Sequence, residues 1–115
     1  MLHWRDMGKL ALTPEVLELI AERFKALAEP ARLQLLHCLR PGEMAVGELV
    51  EETGFGQANV SKHLQQLHNL GFVRRRKEGL FVYYTIADKS VFQLCDVMCG
   101  RLEAETKARH KLLAV

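Results

Sequence analysis

The sequence predicts a mainly α-helical domain with one β-hairpin, in the order helix, helix, helix, helix, strand, strand, helix. Apolar residues recur at helical spacing in four segments before residue 70 and in one segment after residue 88. A run rich in valine, tyrosine and arginine between residues 72 and 86 carries a glycine near its middle, which is typical of a hairpin. This order of elements predicts a winged helix-turn-helix, in which the hairpin is the wing.

The ends of the helices carry capping signals. Thr13 can cap the first helix and Pro14 suits its first position, while Pro30 opens the second helix. Gly71 ends the fourth helix, and Asp88 can cap the last. The predicted helices span residues 14–28, 31–39, 46–52, 57–70 and 89–112.

The fourth helix carries one apolar stripe and a polar outer face. Val60, Leu64 and Leu67 recur at helical spacing, so we expect them to be buried. The side chains expected to point outward are those of Ala58, Lys62, Gln65 and Asn69, with Asn59, Ser61 and Gln66 on the shoulders.

The two strands of the hairpin flank Glu78-Gly79, a short loop with the glycine that such turns need. Successive side chains of a strand point to opposite faces. One face is predicted to hold Leu80, Val82, Tyr84 and Ile86, and the other Phe81 and Tyr83.

The chain has 115 residues, which suit one small domain with a modest core, so that oligomerisation would add to its stability. Residues 1–12 are predicted to form an N-terminal extension. Arg5 and Asp6 interrupt any signal-peptide pattern, and no apolar run approaches the length that spans a membrane. We therefore expect a cytoplasmic protein with no membrane contact.

The net charge of +2 is unevenly distributed along the chain. Residues 1–53 carry six basic and nine acidic side chains, a net of −3, whereas residues 54–87 carry five basic and one acidic, a net of +4. The positive charge thus lies on the fourth helix and the hairpin, where DNA phosphates would be. The alternative is a solvated strand edge that its charges protect from aggregation; the motif context favours DNA.

Several polar and basic side chains suit DNA contact. Asn and Gln can bond adenine bidentately, and Lys can reach guanine or phosphate; alternatively, Gln57 only caps the helix and Asn59 only faces solvent. Because neighbouring residues of a strand point to opposite faces, the four basic residues at 74–77 cannot all contact DNA. At least Arg76 or Lys77 is expected to do so. His63 is expected to be a packed or hydrogen-bonded structural residue. The candidate DNA-binding residues are Gln57, Asn59, Ser61, Lys62, Gln65, Arg74, Arg76 and Lys77.

Three cysteines, Cys38, Cys95 and Cys99, are an odd number, and a structural disulfide framework is not expected in a cytosolic chain. Cys95 and Cys99 lie four residues apart on one helix face, close enough to bind one soft ion. Cys38 could add a third sulfur for As(III) or another thiophilic ion, or be a disulfide or polysulfide partner for an oxidant or reactive sulfur species. The alternative is that all three are packing residues, since free cysteine is commonly buried.

Six motifs in a fixed order resemble the arsenic-repressor (ArsR/SmtB) family of winged-helix repressors, over about residues 14 to 110. They are LAEPARLQLL at 27–36, VGEL at 46–49, NVSKHL at 59–64, LGFV at 70–73, RKEG at 76–79 and VYY at 82–84. The resemblance implies a homodimer formed by the terminal helices, residues 14–28 and 88–112, and a DNA-reading unit at 45–86. It also implies repression that is relieved when a ligand or oxidant is sensed.

The usual metal sites of that family lack their donors in this chain. The Cys-Val-Cys run at the start of the third helix reads Ala45-Val46-Gly47 here. Along the last helix only Asp88 matches, because the other ligand positions hold Ser90, Arg101 and Ala104. We therefore expect no metal at those sites. Thiol-sensing members place cysteines on the second and last helices; Cys38 lies one residue beyond the first position, and Cys95 and Cys99 precede the second.

These observations predict a homodimeric, sequence-specific transcriptional repressor that binds an inverted-repeat operator in double-stranded DNA and is released by a ligand or by thiol modification. The alternative is a winged-helix module that contacts proteins without regulating a promoter. An enzyme is not expected, because the sequence shows no nucleophile–base arrangement, glycine-rich phosphate loop or paired carboxylates.

Overall fold

The computed structural model describes residues 11–113, so the predicted extension over residues 1–12 lies almost entirely outside the described residues. The elements follow the predicted order, with one short strand added before the third helix. Their bounds are α1 Pro14–Leu27, α2 Pro30–Leu39, β1 Met44–Ala45, α3 Val46–Thr53, α4 Gln57–Asn69, β2 Val73–Glu78, β3 Phe81–Ile86 and α5 Val91–Leu113.

Local capping explains where the first helices begin and end. The backbone N–H of Val16 donates to Thr13 Oγ1 at 3.2 Å, which confirms Thr13 as the cap of α1. Glu48 Oε1 accepts from the N–H of Ala45 at 2.9 Å, so this acid caps α3 without a hydroxyl partner. Gly54 ends α3 with φ +74°, a conformation that side chains with a Cβ rarely adopt.

The wing is a three-stranded antiparallel sheet in the order β1-β3-β2. The two residues of β1 pair with β3, Met44 opposite Tyr84 and Ala45 opposite Tyr83. The sequence pattern did not predict this strand, because two residues are too few to show an alternation. β1 covers part of the outer edge of β3, which would otherwise leave unpaired backbone groups.

The hairpin turn consists of Gly79 and Leu80 rather than Glu78 and Gly79. Glu78 pairs with Phe81, and Gly79 takes φ +58°, as two-residue hairpin turns require. The prediction that Leu80 shares one strand face with Val82, Tyr84 and Ile86 was therefore wrong: its side chain is at the turn and 98% exposed. The remaining alternation is confirmed, since Val82 and Ile86 pack against the core and Tyr84 is buried within it.

One core holds α2, α3, α4, the sheet and the start of α5 together. The predicted stripe of α4 is confirmed, because Val60, Leu64 and Leu67 are fully buried. The stripe predicted for the last helix did not include Phe92, yet this residue is buried against side chains of α2. Its ring centroid lies 5.4 Å from that of His37, and the guanidinium carbon of Arg40 lies 4.7 Å from its ring centre. The other buried members are Leu35, Leu36, Leu39, Leu49, Val73, Tyr84 and Val91.

The terminal helices contribute little to this core. Within α1 only Ala26 is buried, and every residue of α5 from 96 to 112 is exposed. α5 has 23 residues and a length of about 34 Å, so most of it extends away from the domain. Apolar side chains on the two helices are between 39% and 63% exposed: Leu17, Leu19, Phe24, Leu94, Val97, Met98 and Leu102.

Candidate nucleic-acid interface

The outer face of α4 presents the predicted polar side chains to solvent. Its first residue follows Gly56, which supplies no side-chain cap, so the first-turn N–H groups remain open to an external acceptor such as phosphate. Gln57 is the first residue of α4 and is exposed, which leaves its amide accessible for other contacts. The exposed candidates on this helix are Gln57, Asn59, Ser61, Lys62 and Gln65.

The strand register divides the basic residues of the wing between two faces. Residues directly opposite in an antiparallel pair share a face. Arg75 lies opposite the buried Tyr84, and Lys77 lies opposite Val82, so both share the inner face with Val73. Arg74 and Arg76 lie on the outer face.

The inner face of the wing and the adjoining shoulder of α4 form one concave surface. Ser61 of α4 lines it together with Arg75 and Lys77 of the wing, around a volume of about 480 Å³. Arg75 Nη1 also donates to Gln65 Oε1 at 2.9 Å, and Gln65 Nε2 donates to Asn69 Oδ1 at 2.9 Å. The structure thus places two basic residues of the wing beside α4: Lys77, which was among the candidates, and Arg75, which was not.

A buried residue in β2 is the signal that could have identified Arg75. Val73 is the apolar residue that begins the strand, so it must face the core. Residues 75 and 77 share its face because the period of a strand is two. The inner-face members of the basic run could therefore have been assigned by counting from Val73.

Arg76 is held by acidic partners on the outer face. Its Nη2 and Nε atoms donate to the two carboxylate oxygens of Glu43 at 2.6 and 3.2 Å, and Nη1 donates to Glu78. Its guanidinium carbon lies 4.5 Å from the ring centre of Tyr83. The hydrogen bond from Arg76 lowers the pKa of Glu43 below its ordinary value, which favours the ionised form of this carboxylate. Glu43 and Glu78 together pair with the Arg76 charge.

The three cysteines differ in exposure and do not form a common site within one protomer. Cys38 and Cys95 are half-buried and Cys99 is exposed. Burial raises the pKa of Cys38 and of Cys95, which keeps these thiols protonated, and a charge on the neighbouring Cys99 would raise the pKa of Cys95 further. Among residues 11–113, no three histidine, cysteine or acidic side chains come together in a way that could hold a metal ion. The three-sulfur arrangement suggested by the sequence is therefore not present in this protomer.

A helix pair followed by a basic wing, with a polar helix face between them, defines the winged helix-turn-helix class of DNA-binding proteins. Over the described part of the chain, no helix combines the length and apolar character needed to cross a membrane.

Comparison with known proteins gives the family. The model of the "Bacterial regulatory protein, arsR family" matches residues 29–75. The chain is 35% identical over 91 residues to the HTH-type transcriptional regulator KmtR of Mycobacterium tuberculosis, covering 79% of this chain and 70% of KmtR. It is 40% identical over 88 residues to the "Probable mercury resistance operon repressor" of Streptomyces lividans, covering 76% and 69%.

A solved structure agrees with this similarity. The solution structure of the homodimeric winged helix-turn-helix DNA-binding domain of Mb0332 from Mycobacterium bovis matches with a TM-score of 0.70 and 34% identity, covering 84% of this chain and 89% of that one. The protein described here belongs to the arsR family of bacterial transcriptional regulators. The relatives are named as regulators and repressors, so the chain belongs to a family of DNA-binding proteins and not of enzymes.

Proposed function

We propose that this protein is a homodimeric transcriptional repressor that binds an inverted-repeat operator, with one α4 in the major groove at each half-site. The observation that carries the proposal is the position of the inner, basic face of the wing beside the exposed polar side chains of α4: Arg75 and Lys77 line one concave surface with Ser61, and Arg75 donates to Gln65. The Streptomyces relative is named a repressor and the Mycobacterium bovis domain is named a homodimer, which supports both parts of the proposal.

The exposed apolar faces of α1 and α5 support the homodimer. Large side chains such as Phe24 and Met98 are more than half exposed, and exposed apolar faces of this kind mark an interaction site. A second copy related by a twofold axis would cover it, because each copy offers the same face to the other. We therefore propose residues 14–28 and 88–112 as the dimerisation helices and 45–86 as the DNA-reading unit.

The positions of the side chains separate base contacts from phosphate contacts. Residues near the start of α4 can enter the groove, so Gln57, Asn59, Ser61 and Lys62 are proposed to contact base edges and adjacent phosphates, with Gln65 beside them. Arg75 and Lys77, on the inner face of the wing, are proposed to follow the phosphate backbone, whereas the candidate Arg74 lies on the outer face. Arg76 is proposed to hold the wing in place, because two carboxylates already neutralise its charge.

We further propose that DNA release depends on the thiols of α5. Cys95 and Cys99 lie four residues apart on α5, a spacing that puts them on one helix face, and Cys99 is exposed. A thiophilic ion such as As(III), an oxidant or a reactive sulfur species would reach Cys99 first. The mercury resistance assigned to the Streptomyces relative supports a thiophilic inducer. The proposal also requires the protein to share a compartment with its operator, which in a bacterial cell is the cytoplasm.

The test uses the reduced parent protein and a duplex selected from a random pool by that protein. Binding to the selected duplex should weaken with salt, because each phosphate contact releases counterions. Lys62→Ala should weaken binding and reduce the salt slope by about one counterion. Lys107→Ala is the matched control, since it removes the same charge from an exposed position of α5 outside the DNA-reading unit; sedimentation checks that this variant has the same oligomeric state as the parent. A parent protein that selects no duplex and binds none in a salt-dependent way would indicate a protein-interaction module instead.

A further inference from the structure

Arg32 connects three helices through its guanidinium group. It lies in the first turn of α2, and its Nε donates to the carbonyl oxygen of Ala26 in the last turn of α1 at 2.6 Å. Its Nη1 is 2.7 Å from Gln66 Oε1 and 3.2 Å from His63 Nδ1, both on α4. Because a guanidinium has only donors, His63 accepts this hydrogen bond at Nδ1. His63 is thus hydrogen-bonded and half-buried, as the sequence predicted.

The local setting of Arg32 indicates that its role is tertiary. A cation in the first turn of α2 lies at the positive end of that helix dipole, which is unfavourable within the helix itself. The same guanidinium lies at the C-terminal end of α1, where carbonyl groups lack partners and the dipole is negative. Arg32 therefore contributes to how the helices are arranged and not to the formation of its own helix.

The partners of Arg32 lie beside the proposed DNA-reading side chains on α4. His63 and Gln66 adjoin Lys62 and Gln65 in the chain, and neighbouring residues of a helix are about 100° apart around its axis. A rotation of α4 that carried Gln66 away from Arg32 would turn the polar outer face by the same angle. On the other side, Ala26 is the only buried residue of α1, so the contact lies where this helix meets the core.

We infer that Arg32 is a positioning residue that fixes the orientation of α4 relative to α1, and thereby sets the distance and angle between the two recognition helices of the dimer. The inference rests on the proposed homodimer and its inverted-repeat operator. A planar guanidinium with fixed donor directions can serve acceptors on both helices at once, whereas a lysine ammonium on a flexible stem does not impose the same geometry.

The test measures selectivity for half-site spacing. The parent and Arg32→Met are titrated with the duplex selected by the parent and with two derivatives that gain or lose one base pair at its centre. The spacing ratio is the affinity for the selected duplex divided by the affinity for a derivative. We expect Arg32→Met to lower this ratio by about threefold to tenfold, in the range of couplings between residues of one network. Arg32→Lys should restore little of it.

Two further variants make the result specific. Lys62→Ala should weaken binding to all three duplexes by the same factor and leave the spacing ratio unchanged, because it removes a contact and not the orientation of α4. Gln66→Leu removes one acceptor from an exposed side chain, so it should lower the ratio even if Arg32→Met fails to fold. Loss of folded protein reduces the active concentration equally for every duplex and does not change the ratio.

The outcomes separate the inference from the proposed function. A parent that binds as a dimer with a clear spacing preference, together with unchanged ratios for Arg32→Met and Gln66→Leu, would overturn the positioning role alone. A parent that is monomeric, or that has no spacing preference, would overturn the inference together with the proposed mode of operator binding.

Discussion

Replacement of Arg75 by alanine removes a positive charge from the inner face of the wing, beside α4. In the structure this side chain lines the same concave surface as Ser61 and donates to Gln65. If it neutralises one phosphate, the slope of log affinity against log salt should become shallower by about 0.9. Between 50 and 200 mM salt, a fourfold change, the parent should then lose about 3.5-fold more affinity than Arg75→Ala.

The neighbouring residue is the matched control for this prediction. Arg76→Ala removes the same charge from the adjacent position, but that charge is already balanced by Glu43 and Glu78 on the outer face. We expect its salt slope to equal that of the parent. Its hairpin should be less stable, because Glu43 and Glu78 lose a shared partner and Tyr83 loses the guanidinium above its ring.

The assay is fluorescence anisotropy of a labelled duplex at four or more salt concentrations, with circular dichroism to confirm that each variant is folded. The Arg75 effect should be the same on specific and nonspecific duplexes, since a phosphate contact carries no sequence information. If Arg76→Ala makes the slope shallower and Arg75→Ala does not, the assignment of the two wing faces is refuted.

Three further predictions concern the dimer, the wing and the thiols. Met98→Glu places a charge on the apolar face of α5, so it should convert the dimer into a monomer. Sedimentation at micromolar concentration should show about 26 kDa for the parent, twice the 13.1 kDa chain, and half of that for the variant. An unchanged dimer would contradict the proposed interface. Because the pKa of Glu43 is lowered in the folded chain, its ionised carboxylate stabilises the fold in full at pH values above the ordinary pKa of 4.5. This stabilisation is lost as the pH falls through the lowered pKa. Urea midpoints measured at about pH 7 and about pH 3.5 should thus differ less in Glu43→Gln than in the parent. Replacing the cysteines singly by serine should abolish release of operator by arsenite or persulfide in at least one variant; if all three respond like the parent, the thiols only pack.

Elements that depend on local chemistry were predicted closely. The buried stripe of α4 was predicted because residues 60, 64 and 67 must share a face at 3.6 residues per turn, and the structure buries all three. Thr13 caps α1 as predicted, because this interaction needs only residues three apart in the chain. The observed hairpin turn lies one residue later than the predicted turn. A turn at Glu78-Gly79 and a turn at Gly79-Leu80 both fit the same short pattern, and only the pairing of Glu78 with Phe81 decides between them.

The candidate site was predicted less completely, because its contacts join residues that are distant in the chain. Alternation showed that the basic residues of the wing must divide between two faces, but it did not show that Glu43, 33 residues before Arg76, lies beside the outer one. Likewise, the motif around Arg32 carried the family resemblance, yet nothing in its spacing showed that the side chain reaches α4, 31 and 34 residues further on.

The sequence by itself determined the order of the elements, the apolar stripe and outer face of α4, the concentration of positive charge in residues 54–87 and the family to which these belong. The first three properties follow from periodicity, capping and composition, which act over a few residues and can be read from the chain. The family follows from the resemblance that the ordered motifs carry. Only the tertiary structure decided which wing arginine faces α4, which wing arginine is neutralised by acidic side chains, and where Arg32 connects α1 to α4. Those outcomes depend on strand register and helix packing, which bring together side chains that no local pattern relates.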